Sequence, residues 1–206
     1  MSILTTLQEN GAVAIVRSHD QESGQAIADA IVDAGLTCIE VTLTNPGALA
    51  IIASLAKRPG VVVGVGTVLK PSEVLAARDA GATFIVSPNT DLAVIAATKA
   101  AGLLSLPGIS TATEVGMALN AGADVLKLFP ASTFGPSHLK ALRDPFPGNL
   151  WCPTGGISVA SIPEWFHAGA AFVGLGGPLT KGGFDAIGEN VQAFRSAIAA
   201  VKQVKS

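Results

Sequence analysis

Charge is scarce in this chain. Of its 206 residues only 14% are Asp, Glu, Lys or Arg, and the formal net charge is -2. No basic run of any length occurs, so the electrostatic footprint of a nucleic-acid or anionic-membrane binder is missing and neither partner is expected. Cysteine is rarer still: Cys38 and Cys152 lie far apart in apolar stretches, which argues against a disulfide framework and for buried free thiols. His19, His138 and His167 are scattered, with no Cys or carboxylate at ligand spacing. No metal site is expected, and the three rings read as surface or loop residues. No apolar run reaches membrane-spanning length uninterrupted, and residues 1–10 lack the basic start and sustained apolar core of a secretion signal. A cytoplasmic location is the expectation.

What is abundant is apolar mass, 49% of the residues, enough for one substantial core and a single domain over residues 1–206. Short apolar runs recur at 13–17, 38–43, 61–66, 83–87, 103–106, 125–129, 150–153 and 171–175. Between them lie amphipathic stretches at helical spacing, such as 25–34, 71–80 and 113–121, several of which end in Ala-Gly as a left-handed cap would. Strands alternating with helices make parallel βα units, because a parallel partner needs a crossover. Eight units close a (β/α)8 TIM barrel, although the chain is short against the about 250 residues typical of that fold. An open doubly wound sheet is the alternative, and it is disfavoured because Val16-Arg17-Ser18-His19-Asp20 carries no dinucleotide glycine fingerprint after the first strand. Residues 1–10 are expected to add a helix before the barrel. A last helix is expected to pack through Phe184, Ile187, Val191, Phe194, Ile198 and Val201.

Two residues break the apolar pattern. Lys127 interrupts Ala123-Asp124-Val125-Leu126-Lys127-Leu128-Phe129-Pro130, and Glu40 interrupts Thr37-Cys38-Ile39-Glu40-Val41-Thr42-Leu43. Lysine is almost never buried unpaired, and burial in general favours the neutral amine that a carbonyl-attacking nucleophile needs. The bland readings are an interior ion pair, Glu40 with Lys127 or Arg17, or a strand-end lysine snorkelling to water. Barrels do chemistry at the carboxyl ends of their strands, and there this sequence places Arg17, Glu40 with Thr42, Gly66-Thr67, Ser87-Pro88-Asn89, Pro107-Gly108, Lys127, Thr154-Gly155-Gly156 and Gly174-Leu175-Gly176-Gly177. A buried amine and a nearby carboxylate make a minimal kit for imine chemistry. The glycine pairs at the seventh and eighth strand ends offer backbone N–H groups to a phosphate. Arg17 could grip a carboxylate in bidentate fashion, or be no more than a solvated strand-end arginine.

Read in order, Glu40-Val41-Thr42-Leu43, Gly64-Val65-Gly66-Thr67-Val68, Val86-Ser87-Pro88, Leu106-Pro107-Gly108, Lys127-Leu128-Phe129-Pro130-Ala131 and Pro153-Thr154-Gly155-Gly156-Ile157 closely resemble the 2-keto-3-deoxy-6-phosphogluconate aldolase family. The resemblance implies a homotrimeric class I aldolase without a cofactor or metal, cleaving a phosphorylated keto-deoxy sugar acid to pyruvate and glyceraldehyde 3-phosphate. By position it implies Lys127 as the Schiff-base lysine and Glu40 as general acid/base. Thr67, Pro88 and Phe129 would line the pyruvate pocket, Thr154 would contact substrate, and Gly155, Gly156, Gly176 and Gly177 would surround the phosphate.

Three departures qualify it. Thr44 stands where many members place an arginine for the substrate carboxylate, so that task falls to Arg17. Gly177 replaces a common phosphate-binding serine, and Asn89 replaces a common glycine. Residues 129–136 resemble the 2-keto-3-deoxy-6-phosphogalactonate enzymes, whereas Thr154 resembles the phosphogluconate enzymes; the latter substrate is the favoured expectation, with the galactonate epimer or dual activity as the alternative. An isomerase or synthase that keeps Glu40 as base, or a non-catalytic binding barrel, remains as a competing reading.

Overall fold

The computed structural model describes residues 2–203. Helix α1 (Ile3–Asn10) precedes β1 (Ala12–Val16), and then helices and strands alternate: α2 (Gln21–Asp33), β2 (Cys38–Thr42), α3 (Ala48–Leu55), β3 (Val62–Gly66), α4 (Pro71–Asp79), β4 (Phe84–Val86), α5 (Leu92–Ala100) and β5 (Leu104–Leu106). A short β6 (Gly108–Ile109) follows, then α6 (Ala112–Asn120), β7 (Lys127–Leu128), α7 (Ala131–Arg143), α8 (Ile162–His167), β8 (Val173–Leu175) and α9 (Ile187–Gln203).

Six strands form one parallel sheet in the order β5-β4-β3-β2-β1-β8, and β6 pairs with β7 in another. Single parallel bridges, Leu126 with Trp151 and Thr154 with Gly174, join the two sheets through residues 151–154. Lys127 N–H donates to Pro107 O, Cys152 N–H to Leu126 O, and Gly174 N–H to Pro153 O. With these the ring closes, and the expected eight-stave barrel is formed.

Two staves are less regular than the apolar runs suggest. The expected strand at 150–153 survives only as bridging residues, and the fifth stave is split into β5 and β6. In each case a proline, Pro153 or Pro107, removes the N–H that a continuous ladder needs. Helix α2 starts at Gln21, earlier than the stretch 25–34, because Asp20 accepts the Ser23 N–H at 2.8 Å and caps it. The glycines expected to end helices do so: Gly35, Gly81, Gly122 and Gly169 all have φ near +90 to +100°.

Residues alternate between two cores, as strand geometry requires. Ile39, Val41, Val63, Val65, Ile85, Leu126, Leu128, Val173 and Leu175 face the helices. Val13, Cys38, Phe84, Val86, Leu106, Val125, Cys152 and Phe172 fill the barrel interior, together with Leu7 from α1. The N-terminal helix therefore lies across the lower end of the barrel, its Leu7 fully buried there; Met1 of the expected residues 1–10 lies outside the described residues. On α9 the face Ile187, Val191, Phe194, Ile198 and Val201 is buried as expected. Phe184 is not part of it. It sits in a separate 3-10 turn, Phe184–Ala186, and is 56% exposed.

Candidate active site

Parity along the strands decides what enters the barrel. Glu40 is two residues beyond inward-facing Cys38, and Lys127 two beyond inward-facing Val125, so both project into the interior above the apolar layer. They are buried, at 4% and 6% exposure. Among the described residues neither makes an ion pair within 4.0 Å, and neither side chain has a hydrogen-bond partner in the protein. The interior-ion-pair reading of Glu40 with Lys127 or Arg17 is thus overturned. Lys127 Nζ instead lies 5.0 Å from the centroid of the Phe129 ring, the next inward residue on its own stave.

Small residues make the room. A Cβ on Gly66 would collide with the Glu40 carboxylate, one on Gly64 with the Phe84 ring, and one on Gly174 with the Thr154 side chain. Glu40 and Gly64 are register partners, and Gly66 follows on the same inward face of β3. Only glycines there leave the width that a carboxylate, an aromatic ring and a threonine occupy.

Cys152 lies between the two ionisable groups electrostatically. Burial pushes its thiol up to about 12, with the Thr154 hydroxyl and the Lys127 charge pulling back and the Glu40 charge pushing further. Its sulfur is 3.6 Å from Thr154 Oγ1, and that hydroxyl donates to Cys152 O at 3.3 Å. Cys38 is likewise pushed to about 12 by burial alone. Both thiols are free and buried, as the sequence implied.

At the mouth, Thr67 is half-buried and is, among the described residues, the non-glycine residue with positive φ, +60°, a strained state for a β-branched side chain. Its neighbours hold it: Gly66 O accepts from Leu43 N–H at 2.9 Å, Val68 N–H donates to Val86 O, and Val68 O accepts from the buried Ser87 hydroxyl at 2.8 Å. Half-buried Pro88 follows, and its carbonyl leaves space only for a glycine at 108. Gly155 and Gly156 are both left-handed, at φ +99° and +73°. Gly155 packs on Phe129, and Gly156 on Ser132. The N–H groups of Gly155, Gly156, Gly176 and Gly177 donate to no backbone carbonyl among the described residues. Gly176 and Gly177 continue from β8 on the same rim.

Arg17 is exposed, one residue beyond β1, beside a cavity of about 270 Å³ that it shares with Ser18, His19, Asp20, Ser23 and Ile27. It makes no ion pair among the described residues. Larger grooves, such as one between α2 and Phe184, lie away from Lys127 and Glu40. Among the described residues no three His, Cys, Asp or Glu side chains are grouped to hold a metal, and no helix is long and apolar enough to cross a membrane. His138 departs from the expected surface ring: it bonds Ser110 O at 2.7 Å and stacks on Phe134.

Sequence reasoning missed Asn45 and the role of Ser87, both buried and polar. Asn45 was the findable one, an Asx residue ahead of a proline directly after the Glu40 strand, where side-chain bonds to backbone are common.

The family model for KDPG and KHG aldolase matches residues 3–192. The 2-dehydro-3-deoxy-6-phosphogalactonate aldolase of Escherichia coli K12 is 37% identical over 174 residues, 83% of this chain and 85% of that protein. The 2-dehydro-3-deoxy-phosphogluconate aldolase of Zymomonas mobilis is 36% identical over 191 residues, 88% and 91% of the two chains. A solved structure described as native KDPGal superposes with a TM-score of 0.87 at 34% identity, covering 93% of this chain and 96% of the other. With a model match along most of its length and relatives of both kinds at this level, the chain belongs to the KDPG and KHG aldolase family.

Proposed function

We propose that the protein cleaves 2-keto-3-deoxy-6-phosphogluconate to pyruvate and D-glyceraldehyde 3-phosphate through an imine on Lys127. The observation that carries this is the pair of buried side chains, Glu40 and Lys127, inside one barrel with no partner for either among the described residues. Leaving an amine and a carboxylate buried and unpaired is costly, and a fold built only for stability would have paired them.

Lys127 Nζ attacks the C2 ketone. Glu40 protonates the resulting hydroxyl, which leaves as water, and the iminium becomes an electron sink. The Glu40 carboxylate then takes the C4 hydroxyl proton, the C3–C4 electron pair moves toward the iminium nitrogen, and glyceraldehyde 3-phosphate departs. Glu40 returns that proton to C3 of the enamine, and water adds at C2 to release pyruvate and the free amine. Arg17 holds the substrate carboxylate, Thr67, Pro88 and Phe129 enclose the pyruvyl carbons, Thr154 meets the central hydroxyls, and the N–H groups at Gly155, Gly156, Gly176 and Gly177 take the phosphate. An anchor at each end keeps the reacting carbons in register.

The galactonate epimer is the second reading, favoured by the run Phe129-Pro130-Ala131-Ser132-Thr133-Phe134-Gly135-Pro136 and by the 37% identity to a relative of that name. A homotrimer completes the proposal: Leu75, Leu92 and Met117, exposed on the successive helices α4, α5 and α6, are apolar surface suited to a second copy. The decisive experiment is borohydride reduction in the presence of pyruvate, followed by peptide mass analysis. An irreversible adduct on Lys127, absent in Lys127→Met, is expected; full activity without an adduct would refute the imine.

A further inference from the structure

Pairing between β1 and β2 stops at Val16 with Val41, so Arg17 stands one residue past the ladder. Asn45 takes over from the backbone there. Its Nδ2 donates to Val16 O at 2.8 Å, and its Oδ1 accepts the Ser18 N–H at 2.5 Å. A donor facing a carbonyl and an acceptor facing an N–H define which way the amide points. The second Nδ2 hydrogen reaches Thr42 Oγ1 at 3.4 Å, and Thr42 is itself fully buried and bonded to Thr44 at 2.8 Å. The Ser18 hydroxyl donates onward to Asp20 O at 2.7 Å. One side-chain amide thus bonds the residues on both sides of Arg17, as the next peptide unit of a strand would, while being 4% exposed itself.

We propose that Asn45 is a positioning residue for Arg17: it fixes the root of a guanidinium that is otherwise unpartnered among the described residues, so that the fork meets the carboxylate end of the substrate. The inference rests on Arg17 being the carboxylate anchor. An exposed arginine on a frayed strand end would have to order both backbone and side chain on binding, and each ordered unit weakens affinity. With residues 16 and 18 held, only the side-chain torsions are left to order.

Because aldol cleavage is reversible, the two ends of the substrate can be measured separately in the condensation direction, with pyruvate and glyceraldehyde 3-phosphate as the probes. Asn45→Ala is expected to raise KM for pyruvate about tenfold, while KM for the aldehyde and kcat stay within about twofold. In an Arg17→Ala background the same change is expected to add nothing. Asn45→Asp, which keeps the acceptor for Ser18 and loses the donor for Val16, carries the same test if the alanine variant does not fold. If Arg17→Ala raises the pyruvate KM but neither Asn45 variant does, or the two effects simply add, the positioning role is overturned and the anchor stands. If Arg17→Ala leaves the pyruvate KM unchanged, the anchor itself is wrong and the inference goes with it.

Discussion

Gly66 determines where Glu40 can stand: a methyl group on Gly66 would collide with the Glu40 carboxylate. The acid is positioned less by bonds than by the absence of a side chain on the neighbouring stave. Gly66→Ala should therefore act as an active-site substitution although residue 66 carries no functional group. Displacement of about 1 Å is expected to lower kcat about 100-fold, with far-ultraviolet circular dichroism unchanged; wild-type turnover in a folded Gly66→Ala protein would contradict the crowding.

Thr67 carries backbone strain at the rim, held by Leu43, Val86 and Ser87. A β-branched residue in the left-handed region costs about 1–3 kcal/mol, and glycine there avoids the cost while losing about 0.5–1 kcal/mol to chain entropy. Thr67→Gly should leave urea stability unchanged or raise it by up to about 2.5 kcal/mol, while catalysis falls. Clear destabilisation would mean that the residue is not strained.

Thr154 sits in the gap left by Gly174, with its hydroxyl on Cys152 O. If it reads the substrate's central hydroxyl, Thr154→Val should shrink the ratio of kcat/KM between the gluconate and galactonate epimers by about tenfold or more, since an unpaired buried polar group is what rejects the wrong epimer. Steady-state kinetics on both epimers measures it, and an unaltered ratio would move the discrimination elsewhere.

Both cysteines are raised from an ordinary value of 9.0 to about 12 by burial. The native state then keeps protons that the unfolded chain gives up, so their contribution to stability is complete below pH 9 and is lost as pH climbs from there toward 12. At pH 8.5 a disulfide reagent should titrate neither thiol in the native protein and both after unfolding. Rapid native reaction would show that the barrel floor opens.

Much of this was legible because barrels alternate their residues in and out, so one charged residue inside an apolar run announces itself. Lys127 and Glu40 stood out on that ground, and the family motifs ordered the rest of the rim. Residues acting through other residues did not stand out. Asn45 works by reaching back to Val16 and Ser18, a contact that needs the β1–β2 register to be visible. Gly64, Gly66 and Gly174 look like any turn glycine until the side chain across the ladder is known. The prolines at 107 and 153 could have warned of broken staves, but an apolar run hides a missing N–H. Phe184 fitted a helical spacing and yet lies outside α9, because Gly182 and Gly183, both at positive φ, turn the chain before the helix begins.

Helix α1 stoppers the lower end of the barrel with Leu7. A vessel closed at its base has a single doorway, so whatever enters deepest must leave last. In the proposed imine reaction the fragment tethered to Lys127 is screened from the solvent beneath it throughout, and the departing aldehyde clears the mouth before water follows it in.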